Sequence, residues 1–242
     1  MNKWFIRVIA LFMAGALLLG IVSMVFAEEN ENVLTIESVQ EFLDFVENCR
    51  MDSYSVGLVV HLTADIDLTG QEFEGVPIFN GEFYGNGHTI SGLNITSSGS
   101  YQGLFRYLTE TALVNGLVVS GTVHPQGSKS YVGGIAGENS GKIQNSSFTA
   151  VKITGSDYVG GIAGINTTTG MIVDCSVSGV IQGNHFVGGI AGSNSGTILS
   201  CRNQAAINTT PEQNKVDISD VTMDTLLALL LCLALQSELM AW

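Results

Sequence analysis

The heptad Tyr-Val-Gly-Gly-Ile-Ala-Gly occupies residues 131–137, returns unchanged at 158–164, and returns once more with Phe in place of Tyr at 186–192. Successive copies begin 27 and 28 residues apart. A unit that short cannot bury its own apolar face, and it becomes stable only by stacking on copies of itself. The period therefore dictates a solenoid before any other feature of the chain is weighed.

Anchoring each unit on the aromatic residue gives segments that start at Phe79, Tyr101, Tyr131, Tyr158 and Phe186, with lengths of 22, 30, 27, 28 and, to Thr210, 25 residues. The second halves align as well: Leu117 falls over Cys175, Val119 over Val177 and Gly121 over Gly179. Runs such as Val173-Asp174-Cys175-Ser176-Val177 alternate apolar and polar residues, which is the period of a strand with one buried face. No helical period appears between Phe79 and Thr210. Asn139-Ser140-Gly141 and Asn194-Ser195-Gly196 read as turns, since Asn and Gly tolerate positive φ. The fold expected is all-β: a parallel β-helix with two or three short strands per coil over residues 51–210, each strand pairing with its equivalent about 4.8 Å above and below.

Glycine-rich loops also cradle phosphates, but these do not have the required partners. A Walker loop needs Gly-x4-Gly-Lys-Ser/Thr, and the nearest approach, Ala136 to Ile143, begins with Ala and ends with Ile. A dinucleotide fingerprint needs a helix behind its glycines. The expected role of Gly133, Gly134, Gly137, Gly160, Gly161, Gly164, Gly188, Gly189 and Gly192 is structural, permitting a sharp corner and close approach of coils. Tyr131, Tyr158 and Phe186 are expected to stack in a ladder. No cofactor and no nucleotide is called for.

The threefold heptad, followed by Asn-x-Gly-x-Ile, resembles the GLUG-motif repeat of bacterial surface and secreted proteins, a repeat also found outside the catalytic part of some immunoglobulin-A-cleaving metallopeptidases. Residues 62–70 and 79–95 are similar to the entry coils that precede such repeats, so the resemblance spans roughly residues 34–210. It implies a right-handed parallel β-helix on an exported protein. It does not imply catalysis: the peptidases carry His-Glu-x-x-His, and none of His61, His88, His124 or His185 begins that motif.

The ends differ from the body. Residues 1–27 have the form of a secretory signal, with Lys3 and Arg7, an apolar run from Val8 to Val22, and Val25-Phe26-Ala27 as a cleavage site; the competing reading is an uncleaved anchor, since Val8 to Ala27 is long enough to span a bilayer. Residues 28–50 are expected to form a strand and a capping helix. Ser38-Val39-Gln40-Glu41 reads as a capping box, and Val39, Phe42, Leu43 and Val46 form one apolar face, giving a helix over 38–48 that covers the open first coil. Beyond residue 210 the heptad does not return. Residues 211–242 include ten apolar residues, Leu226 to Leu235, too few to span a bilayer. A helix capping the last coil, the end of a truncated chain, and a membrane contact are the three accounts of that tail.

The net charge is −13, and residues 28–100 hold 13 acids against one base while residues 101–210 are nearly neutral. Such acidity excludes nucleic acid as a partner and disfavours anionic lipid. Membrane contact is left to the signal segment or the tail. Asp65 and Asp67, outward on one strand face, are candidate Ca²⁺ or acid–base carboxylates, though two carboxylates are too few for a cage. Glu72, Glu74 and Glu82 extend an acidic edge, and His88 sits in a turn. Cys175 and Cys201 occupy equivalent inward positions, as a stacked pair of thiols or, alternatively, a disulfide between adjacent coils; with Cys49 and Cys232 they make an even number in an exported chain.

The function expected is that of a secreted or cell-surface scaffold without enzymatic activity, adhesive toward an extracellular glycan or protein. A carbohydrate-active β-helix enzyme and a truncated stalk of a larger surface protein or peptidase are the alternatives.

Overall fold

A computed structural model describes residues 32–208 of the 242-residue chain. Residues 1–27, expected to be a secretory signal, lie outside the described residues, as do Cys232 and the apolar tail.

The chain winds through about six coils, and every strand pairing beyond the first coil is parallel. One sheet holds β1 (Asn32–Ile36), β2 (Leu58–Leu62), β4 (Glu82–Tyr84), β7 (Leu113–Asn115), β10 (Lys142–Gln144), β14 (Met171–Val173) and β18 (Thr197–Leu199), in that order. A second runs through β3 (Ile66–Asp67), β5 (Thr89–Ile95), β8 (Val118–Val123), β11 (Ser147–Thr154), β15 (Ser176–Gln182) and β19 (Arg202–Ile207). A third holds β6 (Phe105–Leu108), β9 (Ala136–Asn139), β13 (Ala163–Asn166) and β17 (Ala191–Asn194). A short fourth pairs β12 (Asp157–Gly160) with β16 (His185–Gly188). Strands next to each other in a sheet are one coil apart in sequence, which is what a repeat with this period requires.

The register follows the sequence repeat. Val119 lies against Phe148 and Phe148 against Val177, while Gly121, Ala150 and Gly179 form the next inward column. Alternation puts Val119, Phe148 and Val177 in the core and their neighbours outside. The first coils depart from the heptad frame. Phe79 bridges to Leu108 and Val76 to Phe105, so Phe79 is no counterpart of Tyr101. It is fully buried, whereas Tyr101 is only half-buried. A coil does not start at Phe79, because the apolar interior claims that ring.

Helix α1 spans Val39–Asn48. The Ser38 side chain accepts from the Glu41 amide at 3.3 Å, as a helix cap does. Glu41 reaches back one residue further than a capping box requires, accepting from the Glu37 amide at 2.8 Å rather than that of Ser38. That bond is the main cause holding the Glu41 carboxyl below its usual range. Phe42 and Phe45 point inward. Phe42 meets Phe73 at 5.9 Å between centroids, and Phe45 meets Phe79 and Phe83 at 5.8 and 5.9 Å. Phe79 and Phe83 in turn meet Phe105. The helix thus closes the first described coil with a plug of phenylalanines, which withholds the interior from water at that end.

Truncating the centre of that plug tests it. Phe45→Ala is expected to cost about 3–5 kcal/mol, read as a lower urea midpoint, whereas Asp44→Ala on the exposed face of α1 is expected to change it little.

Candidate functional site

The repeated aromatic residues form one column. Tyr101 and Tyr131 stack at 4.4 Å and 13°, Tyr131 and Tyr158 at 4.9 Å and 3°, Tyr158 and Phe186 at 4.7 Å and 4°. All four residues have positive φ, between 53° and 63°. The glycines were expected to permit the sharp corner, yet none of the heptad glycines has a positive φ; each of these coils turns its corner at the aromatic residue itself. That backbone costs about 1–2 kcal/mol for a residue with a side chain, and a stacked pair returns about 0.5–1.5 kcal/mol. Stacking alone therefore only offsets the strain. Backbone hydrogen bonds hold the corner as well: the Tyr131 amide donates to the Asp157 carbonyl at 3.0 Å and the Val132 amide to the Tyr158 carbonyl at 3.0 Å.

The glycines serve the approach of neighbouring coils. A Cβ on Gly161 would lie 2.2 Å from the Gly189 carbonyl oxygen and 2.5 Å from Val177. One on Gly164 would lie 2.3 Å from the backbone of Tyr131, in the preceding coil. The last glycine of each heptad is thus the floor on which the preceding aromatic corner rests.

A polar row runs beside the aromatic one. The Ser130 amide donates to the Ser100 hydroxyl, the Ser130 hydroxyl donates to Asp157 at 3.4 Å, and the Asp157 carboxylate meets the His185 ring at 2.6 Å. The Asp157 and His185 side chains are 33 % and 51 % exposed. Arg106 closes the upper end: its guanidinium donates to the Ser100 and Tyr101 carbonyls and lies 6.0 Å from the Tyr107 ring centroid. Along this flank the solvent meets the edges of the aromatic rings, because their faces are taken up by one another. Phe186, at the lower end of the described column, is 44 % exposed.

A second ladder lies inside. The Asn139 side-chain amide donates to Asn166 at 2.7 Å, and that of Asn166 donates to Asn194 at 2.8 Å. Asn139 and Asn194 were expected in turns with positive φ. They end strands β9 and β17 instead, without positive φ, and Asn139 is wholly buried. Asn166 also donates to the Gly170 carbonyl at 3.2 Å, tying the corner that follows it. The residue above Asn139 in register, in the preceding coil, is Leu108, which has no donor to offer, and the Asn139 carbonyl oxygen is left without a partner. The 27- and 28-residue spacing of Asn139, Asn166 and Asn194 was the signal that could have revealed this row.

The two candidate carboxylates do face outward, Asp67 on β3 and Asp65 just before it. Asp65 is engaged by the following coil, accepting from the Thr89 amide at 2.8 Å and meeting His88 at 3.3 Å, whereas Asp67 is engaged by its own turn, accepting from the Thr69 hydroxyl at 2.6 Å and the Thr69 amide at 3.0 Å. The Thr89 amide, then His88, hold Asp65 below the usual carboxylate range; the Thr69 hydroxyl and amide do so for Asp67. Among the described residues, no group of three or more His, Cys, Asp or Glu side chains gathers as a metal site. Glu72 and Glu74 line a cleft beside α1 together with Glu47 and Arg50, where Glu47 is paired with Arg50 at 2.6 Å. Glu82 lies apart, accepting from the Tyr84 hydroxyl.

Cys175 and Cys201 are stacked one coil apart, and both are free thiols, as is the buried Cys49, whose thiol burial pushes up to about 12. No helix among the described residues is long and apolar enough to cross a membrane.

The family model described as the GLUG motif matches residues 129–154 and 155–182. These are two successive coils, and each match begins just before an aromatic corner. The resemblance seen in the heptads therefore holds over those two repeats. No curated protein and no solved structure matches the chain.

Two outcomes follow from the geometry. Tyr158→Val puts a branched side chain into the left-handed corner and removes two stacks, and is expected to cost about 2 kcal/mol or more in urea unfolding, while Tyr158→Asn, which tolerates that backbone, costs about half as much. The double variant Asp65→Asn, Asp67→Asn addresses pH. Both carboxylates are depressed in the folded chain, so their contribution is present above the unfolded value of about 3.9 and is lost as pH falls through the folded values. The variant should be less stable than the parent at neutral pH, and the difference should vanish in acid titration below that range.

Proposed function

We propose that this chain is an exported scaffold without enzymatic activity, whose solenoid flank binds an extracellular glycan or protein as an adhesive surface. The observation that carries the reading is the pair of parallel rows on one flank: Tyr101, Tyr131, Tyr158 and Phe186 beside Ser100, Ser130, Asp157 and His185. A parallel solenoid repeats its surface every 4.8 Å or so. A linear polymer laid along the axis would meet one aromatic edge and one polar group at each step. Hydroxyls, a carboxylate and an imidazole are the groups that bind sugar hydroxyls or peptide amides, and the aromatic edges supply apolar contact. The two GLUG matches support placing the chain among repeat modules of this kind. The secretory form of residues 1–27 supports secretion or display at the cell surface.

A second reading has one observation in its favour. Glu47, Glu72, Glu74 and Arg50 share a cleft beside α1, and paired carboxylates are the usual equipment of glycoside hydrolysis. Under that reading the cleft, rather than the aromatic flank, would be the site.

One experiment separates the two. The full chain is screened against an array of glycans and extracellular-matrix proteins, and every glycan bound is then assayed for release of new reducing ends. Binding without release is expected, weakened roughly tenfold by Asp157→Ala or His185→Ala through loss of charge-assisted hydrogen bonds. Binding untouched by both substitutions would overturn the assignment to this flank. Release of reducing ends that Glu72→Gln abolishes would overturn the non-enzymatic reading.

A further inference from the structure

The column of residues that leads from the first sheet into the second reads Leu117, Ser146, Cys175 and Cys201. Its last two members bring two thiols to one place. The Arg202 amide donates to the Cys175 carbonyl at 2.8 Å and the Asp174 amide to the Leu199 carbonyl at 3.0 Å, so the two cysteines lie directly across one coil-to-coil step. The thiols hold matching poses. Cys175 reaches the carbonyls of Val173 at 3.2 Å and Ile143 at 3.7 Å; Cys201 reaches those of Leu199 at 3.4 Å and Ile172 at 3.5 Å. In each case one partner lies two residues back and the other in the preceding coil.

We propose that Cys175 and Cys201 are a redox-responsive pair that closes into a disulfide between the fifth and sixth coils. In-register parallel strands lie about 4.8 Å apart, within the Cα separations of 4.4–6.8 Å that disulfides span. The Cβ atoms of such a pair point the same way, however, and must approach to about 4 Å for the bond to form. The coil carrying Cys201 can give way. Its strand β19 is largely exposed, with Asn203 in the column that holds Val119, Phe148 and Val177. A bond that pulls its strands together stores strain and is easily reduced. The pair is thus suited to a reversible state rather than a permanent staple.

The order of events follows from access. Cys201 is half-buried and Cys175 almost wholly buried, and the neighbouring thiol lowers Cys201 while it and burial raise Cys175. The Cys201 thiolate attacks one sulfur of a small-molecule disulfide such as oxidised glutathione, forming a mixed disulfide and expelling one thiolate. Cys175 then gives up its proton and attacks the Cys201 sulfur, forming the Cys175–Cys201 bond and expelling the second thiolate. Two protein thiols are oxidised, one small disulfide is reduced to two thiols, and the two electrons balance.

The test uses the full folded chain equilibrated with mixtures of oxidised and reduced glutathione, quenched by alkylation, unfolded, and digested with chymotrypsin. That protease cuts at Phe186 and Leu199 and so separates the two cysteines. The expected result is a pair of peptides joined through Cys175 and Cys201 before reduction and apart after it, at a chain mass two hydrogens lower. In brief alkylation of the reduced protein, Cys201 should be labelled before Cys175. Cys201→Ser should leave Cys175 unmodified by oxidised glutathione in the folded chain, since its only route runs through Cys201. Two thiols that stay free in fully oxidising mixtures would overturn the proposal. So would joining of either one to Cys49 or Cys232, or a Cys175 that reacts as readily in the Cys201→Ser chain.

Discussion

The structure depends on one constraint: each coil must lie in parallel register on the next. A coil of some 28 residues has no inside of its own, and the interior exists only where Val119, Phe148 and Val177, or Phe79 and Phe105, close over one another. Register errors of one residue would turn this column outward and its polar neighbours inward. The molecule therefore fixes register more than once per coil. The core side chains do it by shape, the Asn139–Asn166–Asn194 ladder by a directional hydrogen bond at each step, and the aromatic corner by stacking at 4.4–4.9 Å. The buried amides carry a second constraint, because an unpaired amide in an apolar interior costs more than a paired one returns. A shift of the chain would leave such groups unpaired.

The heptad divides these duties among its residues. The aromatic residue accepts a strained backbone to turn the corner, and its neighbours above and below offset that strain. The glycines give up side chains so that carbonyls of the next coil can come close, as Gly161 does toward Gly189. The same arrangement governs the surface. Because the ring faces are consumed by stacking, the flank offers edges and the polar groups beside them, which suits a shallow, repetitive contact along the axis better than a single enclosed pocket.

Much of this was legible in the sequence, and the misses have a common cause. A period of 27–28 residues, together with two-residue alternation, was enough to give the parallel solenoid and the alignment of Gly121 with Gly179. The apolar spacing of Val39, Phe42, Leu43 and Val46 gave the helix at Val39–Asn48. What composition could not resolve was which member of a glycine-rich corner carries the unusual backbone, since glycine tolerates it best and an aromatic residue pays for it with contacts from other coils. Asn139 was likewise misplaced in a turn because asparagine next to Ser-Gly has a strong local preference for turns, and only its counterparts one coil away make it an interior residue. Phe79 was drawn into the wrong column for the converse reason: its local heptad looks like the others, while the phenylalanine plug under α1 claims the ring. On the outward face, Asp65 and Asp67 were placed on the correct side, but spacing did not reveal their partners: Thr89 comes from the next coil and Thr69 from the turn just after Asp67.

The most direct test of the account is through-space proton contact in solution. Nuclear Overhauser spectra of the labelled full chain should show ring-to-ring contacts between Tyr131 and Tyr158 and between Tyr158 and Phe186, together with amide contacts between Val132 and Val159, and no direct contact between Tyr131 and Phe186. Absence of the neighbouring-coil contacts, or sequential amide contacts of helical type through residues 131–164, would contradict the stacked solenoid and everything drawn from it.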